Sequence, residues 1–145
     1  MKKTVNISEF RQIAEEFTKS LKAGKTACVI GLHGDLGAGK TTFVQNVAKT
    51  LGISETVNSP TFVIEKLYSL DKLGTGNFEK LIHIDAYRLD SGKELLDLGW
   101  QEISKNPKNL IFIEWPERVA DVLPKITHKI NFRFVDEEKR EIDVE

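Results

Sequence analysis

Gly34-Asp35-Leu36-Gly37-Ala38-Gly39-Lys40-Thr41 follows the apolar run Ala27-Cys28-Val29-Ile30-Gly31-Leu32 and runs directly into Thr42-Phe43-Val44. The octet satisfies G-x-x-x-x-G-K-[ST] in full. Its glycines let the backbone bend tightly, so that successive N–H groups turn inward onto an anion. A helix that starts there adds the positive end of its dipole. In such a loop the lysine, here Lys40, supplies charge to the β- and γ-phosphates, and the hydroxyl, here Thr41, faces magnesium. The flanks are the context that gives the octet meaning. Residues 26–32 read as a buried strand, a short apolar run with no polar face. Residues 39–51 read as a helix with Phe43, Val44, Val47 and Leu51 inward and Gly52 as its stop. A strand, a phosphate loop and a helix in that order predict an α/β nucleotide-binding domain.

The rest of the chain extends this frame. Phe10, Ile13, Ala14, Phe17 and Leu21 fall at helical spacing and predict a helix over 7–22, with Asn6 and Glu9 as a capping box and Gly24 at its end. Strands are expected at 62–70 and 81–85, joined as a hairpin by the polar loop 71–77. Ser91 and Glu94 suggest a second capping box, for a short helix ending at Gly99. Residues 109–113 read as a buried strand, and 126–135 with 140–144 as a final pair around a charged turn. Strand and helix alternate early and strands pair late. The expected architecture is therefore a three-layer P-loop NTPase domain with a mixed, mainly parallel central sheet, spanning residues 1–145 as one domain.

Composition narrows the class. Lys and Arg total 21 against 22 Asp and Glu, a net charge of −1, which lacks the basic excess of a dedicated nucleic-acid binder. The lone cysteine, Cys28, reads as a buried small hydrophobe of a reducing compartment. The opening MKKTVNISEF has no apolar stretch after its lysines, and no window approaches a membrane span. A cytoplasmic protein is expected.

A magnesium site calls for an acid at the end of a neighbouring strand. Leu110-Ile111-Phe112-Ile113-Glu114 and Leu81-Ile82-His83-Ile84-Asp85 both end in one. The first run is wholly apolar and belongs centrally, beside the strand that enters the loop, which favours Glu114 on the magnesium side. Asp85 is then the candidate for orienting or activating a water. His83, taken alone, reads as a structural histidine. His33 and His128 show no metal-ligand spacing with each other or with Cys28. Trp115-Pro116 reads as a packed turn, with a partner-facing Trp115 as the alternative.

No N-K-x-D motif of a guanine-specific site is present, and Asp71-Lys72-Leu73-Gly74 falls in a loop instead of after an apolar strand. Arg11, Arg88, Arg118, Arg133 and Arg140 do not cluster into a kinase-like lid. What remains is a small ATPase, with a small-molecule kinase or a non-hydrolysing nucleotide-dependent binding module as alternatives.

Four motifs in order, GDLGAGKTT at 34–42, SPTF at 59–62, HIDAYRL at 83–89 and EWPE at 114–117, give a chain that resembles the TsaE family, also called YjeE or YdiB, over nearly its whole length. The resemblance implies a weak ATPase that serves tRNA threonylcarbamoyladenosine synthesis, with ATP and Mg²⁺ as cofactors. It implies TsaD and TsaB as partners, tRNA reached through them, and no membrane. ATP hydrolysis would regulate or reset the TsaD–TsaB pair. By the same resemblance the nucleotide is cradled by Gly34, Asp35, Leu36, Gly37, Ala38, Gly39, Lys40, Thr41 and Thr42, with Arg140 on the adenine side. Thr41 and Glu114 hold the metal. Lys40, Thr61, Asp85 and Glu114 serve catalysis, Thr61 as a switch-like threonine near the γ-phosphate.

Overall fold

The computed structural model describes residues 2–53, 65–69, 78–123, 126 and 128–145. Among these, seven strands form one sheet: β1 (Lys2–Asn6), β2 (Cys28–His33), β3 (Glu65–Ser69), β4 (Lys80–Asp85), β5 (Asn109–Glu114), β6 (His128–Phe134) and β7 (Lys139–Val144), in the order β1-β7-β6-β2-β5-β4-β3. Strands β4, β5, β2 and β6 run parallel, and β1 shares their direction because two antiparallel steps, β6 to β7 and β7 to β1, separate them. Only β3 and β7 run the other way. The expected mixed, mainly parallel sheet is thus present, and β5, with its apolar run Leu110-Ile111-Phe112-Ile113, lies where that run puts it, directly beside β2.

Helices cover both faces. Helices α1 (Ile7–Ser20) and α2 (Lys40–Thr50) pack on the face presented by Cys28, Ile30 and Leu32 of β2 and by Leu110 and Phe112 of β5. Helices α3 (Gly92–Asp97) and α4 (Trp100–Lys105), with a 3-10 turn at Pro116–Val119, cover the face of Val29, Ile111 and Ile113. Successive residues of a strand point to opposite faces. An apolar residue at nearly every position therefore feeds two cores, which is why these strands lack a polar stripe.

Local signals account for the helix ends. Asn6 accepts a hydrogen bond from the Glu9 N–H (2.9 Å), while Glu9 accepts one from the Asn6 N–H (3.1 Å), the expected capping box. The second box does not form: Ser91 makes no capping bond and Glu94 accepts from the Asp90 N–H instead (3.0 Å). Helix α1 stops at Ser20 and its cap at Leu21 is extended, so Gly24 lies outside it. The short helix expected up to Gly99 is α3, and Gly99, in the left-handed region, separates it from α4, which was not expected. Strand β1 went unpredicted because its Lys2, Lys3 and Thr4 are exposed and only Val5 is buried. The antiparallel pairing of β3 with β4 agrees with the expected hairpin. Residues 62–64 and 70 of its first strand, and its loop at 71–77, fall outside the described residues.

Candidate functional site

The loop between β2 and α2 is clamped at both ends by aromatic packing. Phe43 of α2 lies edge-on to Phe10 (5.9 Å between ring centres), Phe17 (5.7 Å) and Phe132 (5.5 Å), joining α1, α2 and β6 into one block. Gly34, at φ 146°, leaves no room for a side chain, since an added Cβ would sit 2.5 Å from the Phe132 carbonyl oxygen. At Gly39, φ 112°, it would stand 3.2 Å from the Phe10 ring. Both positions combine a conformation that L side chains rarely adopt with a wall behind them. No side chain caps the start of α2, the end at which an α-helix leaves its first N–H groups unpaired.

Four of the residues singled out from the sequence converge below this loop. Asp85 and Glu114 are register partners at the C-terminal ends of the adjacent parallel strands β4 and β5. Lys40 is 4% exposed, and its ammonium donates to the Gly34 carbonyl and sits 3.7 Å from the centre of the Trp115 ring. Burial lowers the Lys40 pKa, against the pull of Glu114 and Asp85. The Thr41 hydroxyl stands 3.3 Å from Glu114 Oε2 and 3.5 Å from Oε1. Burial raises the Asp85 carboxyl, opposed by the bond that Oδ1 accepts from the Tyr87 N–H (2.9 Å); the nearby Glu114 charge raises it further.

A cavity of about 500 Å³ opens from this cluster. Its lining includes the buried Lys40, Asp85 and Glu114 with the half-buried Thr41, which we call its inner end, and the exposed Ile7, Leu36, Glu137 and Glu138 with the half-buried Arg140, its outer end. Arg140 thus lies in the same cavity as the loop, with its guanidinium 4.6 Å from the centre of the exposed Phe134 ring. Thr61 falls outside the described residues.

Sequence reasoning missed two neighbours of this cluster. Trp115 adopts the left-handed conformation (φ 58°), the one such non-glycine among the described residues. Its N–H donates to the Leu32 carbonyl (3.3 Å), and the turn lays its ring against Lys40. A residue in this region costs about 1–2 kcal/mol, and such strain gathers at functional sites. His83 is fully buried, with Nε2 2.6 Å from Glu114 Oε2. The signal for His83 was legible as the single polar interruption of an apolar strand, two residues before Asp85. Nothing in the local sequence announced the Trp115 conformation.

The family model described as "Threonylcarbamoyl adenosine biosynthesis protein TsaE" matches residues 4–142. The chain belongs to the TsaE family. Among TsaE relatives, the tRNA threonylcarbamoyladenosine biosynthesis protein TsaE of Bacillus subtilis is 37% identical over 97% of this chain and 81% of its own length. The protein of the same name from Treponema pallidum is 41% identical over 80% of each chain. The crystal structure of Bacillus subtilis YdiB superposes with a TM-score of 0.72 at 30% identity, covering 98% of this chain and 82% of that one. The fold of this TsaE-family chain is therefore shared across distant sequences. No helix among its described residues is long and apolar enough to cross a membrane.

Proposed function

We propose that this chain is a magnesium-dependent ATPase, formed as one domain over residues 1–145, that serves tRNA threonylcarbamoyladenosine biosynthesis in the cytoplasm by regulating or resetting a TsaD–TsaB pair. The observation that carries the reading is the convergence of Lys40, Thr41, Asp85 and Glu114 at the inner end of one cavity, under an uncapped helix start. The donors suit the cofactors. A buried ammonium whose contacts among the described residues include a carbonyl and a ring face is matched to an anion, and Thr41 with Glu114 offers the hard oxygen ligands that magnesium prefers.

Bound magnesium would supply charge neutralisation across the β- and γ-phosphates. The protein does the rest. The loop residues 34–42 turn N–H groups onto phosphate oxygens. Lys40 exchanges its carbonyl partner for those oxygens. Thr41 and Glu114 hold the metal side, and Asp85 orients the attacking water from the neighbouring strand end. Its raised pKa suits a group that takes up a proton. Thr61 is assigned to the γ-phosphate and Arg140 to the adenine side on the family resemblance, and the position of Arg140 in the outer cavity agrees.

The test is ATP turnover with and without TsaD and TsaB, followed through ADP and free phosphate. Faster release of both products with the partners is expected. A phosphorylated metabolite would point to a kinase. Normal tRNA modification in cells carrying only Asp85→Ala, with ATP affinity kept, would leave a nucleotide-dependent binding module.

A further inference from the structure

His83 is the one fully buried polar side chain among the described residues, and an ATPase cycle built on Lys40, Thr41, Asp85 and Glu114 makes no use of it. It lies on the face of β4 that also carries Leu81 and Asp85, packed toward α2, with Phe112 opposite it on β5 and Lys66 its register partner on β3. An imidazole here gives up water, and a leucine or valine would fill the same layer without that cost. Its single hydrogen bond among the described residues is the 2.6 Å contact from Nε2 to Glu114 Oε2, and Nδ1 has no partner among them. A carboxylate has no hydrogen to give, so Nε2 carries the proton and donates it.

We propose that His83 is a positioning residue that holds Glu114 by one oxygen, so that the other faces the metal. This rests on Glu114 being the magnesium-side carboxylate. The geometry supports a division of labour within the carboxylate. Oε2 takes the short bond from His83 and the nearer approach of Thr41 (3.3 Å), while the contact of Oε1 among the described residues is the 3.5 Å approach of Thr41. A glutamate has three rotatable bonds. Pinned from behind by a ring that β4 and β5 hold rigidly, it keeps one orientation. Groups that orient a metal ligand in this way typically change metal affinity ten- to a hundredfold when removed.

The decisive measurement is the affinity of the ADP-bound protein for Mn²⁺, read by electron paramagnetic resonance, with metal-free ADP affinity and the melting temperature as companions. His83→Gln places an amide N–H where Nε2 lies and is expected to stay near the wild-type Mn²⁺ affinity. His83→Asn is too short to reach Glu114 and is expected to lose about tenfold, with metal-free ADP affinity unchanged. Equal Mn²⁺ affinity in the Gln and Asn variants would overturn the proposal. If the Asn variant does not fold, His83→Leu takes its place against Gln with the same two outcomes. Glu114→Gln separates the layers of the reading. Loss of Mn²⁺ in that variant but in none of the His83 variants overturns the role of His83 alone. Unchanged Mn²⁺ affinity in Glu114→Gln removes the metal assignment, and the proposal with it.

Discussion

The two ends of the cavity are built from different material. The inner end belongs to the parallel part of the sheet: Asp85 and Glu114 close neighbouring parallel strands, and Lys40 and Glu114 are each no more than 4% exposed. The outer end belongs to the margins. Ile7 and Leu36 are 68% and 69% exposed, and Glu137, Glu138 and Arg140 sit in or beside the turn between β6 and β7. Charges at the inner end act in a dry surrounding, whereas those outside are screened by water and salt. The difference teaches where binding energy and chemistry concentrate, and substitutions at the two ends can break the contrast or sharpen it.

The largest effect is expected from Asp85→Asn, which should slow single-turnover ATP hydrolysis by about a hundredfold or more while leaving ATP affinity nearly intact. A full-rate variant would move the water-handling role elsewhere. Next comes Lys40→Ala. Losing a charge-assisted contact of about 1.5–3 kcal/mol should weaken ATP binding roughly ten- to a hundredfold by calorimetry. An unchanged value would mean that the phosphates sit away from the loop.

Arg140→Ala tests the outer end. It should cost up to about fivefold in affinity, equally for ATP and ADP, and less as salt is added. A loss as large as that of Lys40→Ala would erase the contrast between the ends. The smallest effect concerns stability. His33, beside Glu117 at 3.1 Å, has its pKa lowered from 6.5 chiefly by burial, and the Glu117 charge works against that shift. As pH falls through the unfolded value, the unfolded chain takes up a proton that the folded chain refuses, so stability present above it is lost below it. Between about pH 7.5 and pH 5.5, His33→Gln should therefore lose less melting temperature than the wild type. An equal loss in both would clear His33 of any part in acid sensitivity.

The same contrast explains what could be read from residues alone. The octet at 34–41 and the apolar runs before Glu114 and Asp85 announce themselves because buried parallel strands and phosphate loops impose strong local composition. One strand neighbour followed from that reasoning: β5, with four apolar residues running up to its terminal acid, does pair with β2. Strand β1 stayed hidden because pairing with β7 demands little of its exposed side chains. The Ser91–Glu94 box failed because Glu94 found the Asp90 N–H instead, a choice made by local geometry and invisible in spacing. The bond from His83 to Glu114 joins residues far apart in the chain, and only the register of β4 against β5 reveals it.

The packing of Lys40 against Trp115 has a practical consequence. Indole emission responds to nearby charge, and here an ammonium rests 3.7 Å from the ring centre. A ligand that draws Lys40 away changes the light that Trp115 returns. The second tryptophan, Trp100, is 2% exposed in the core at the start of α4 and supplies a steady background. If the proposed function holds, Trp115 emission is expected to report occupancy of the cavity without a label.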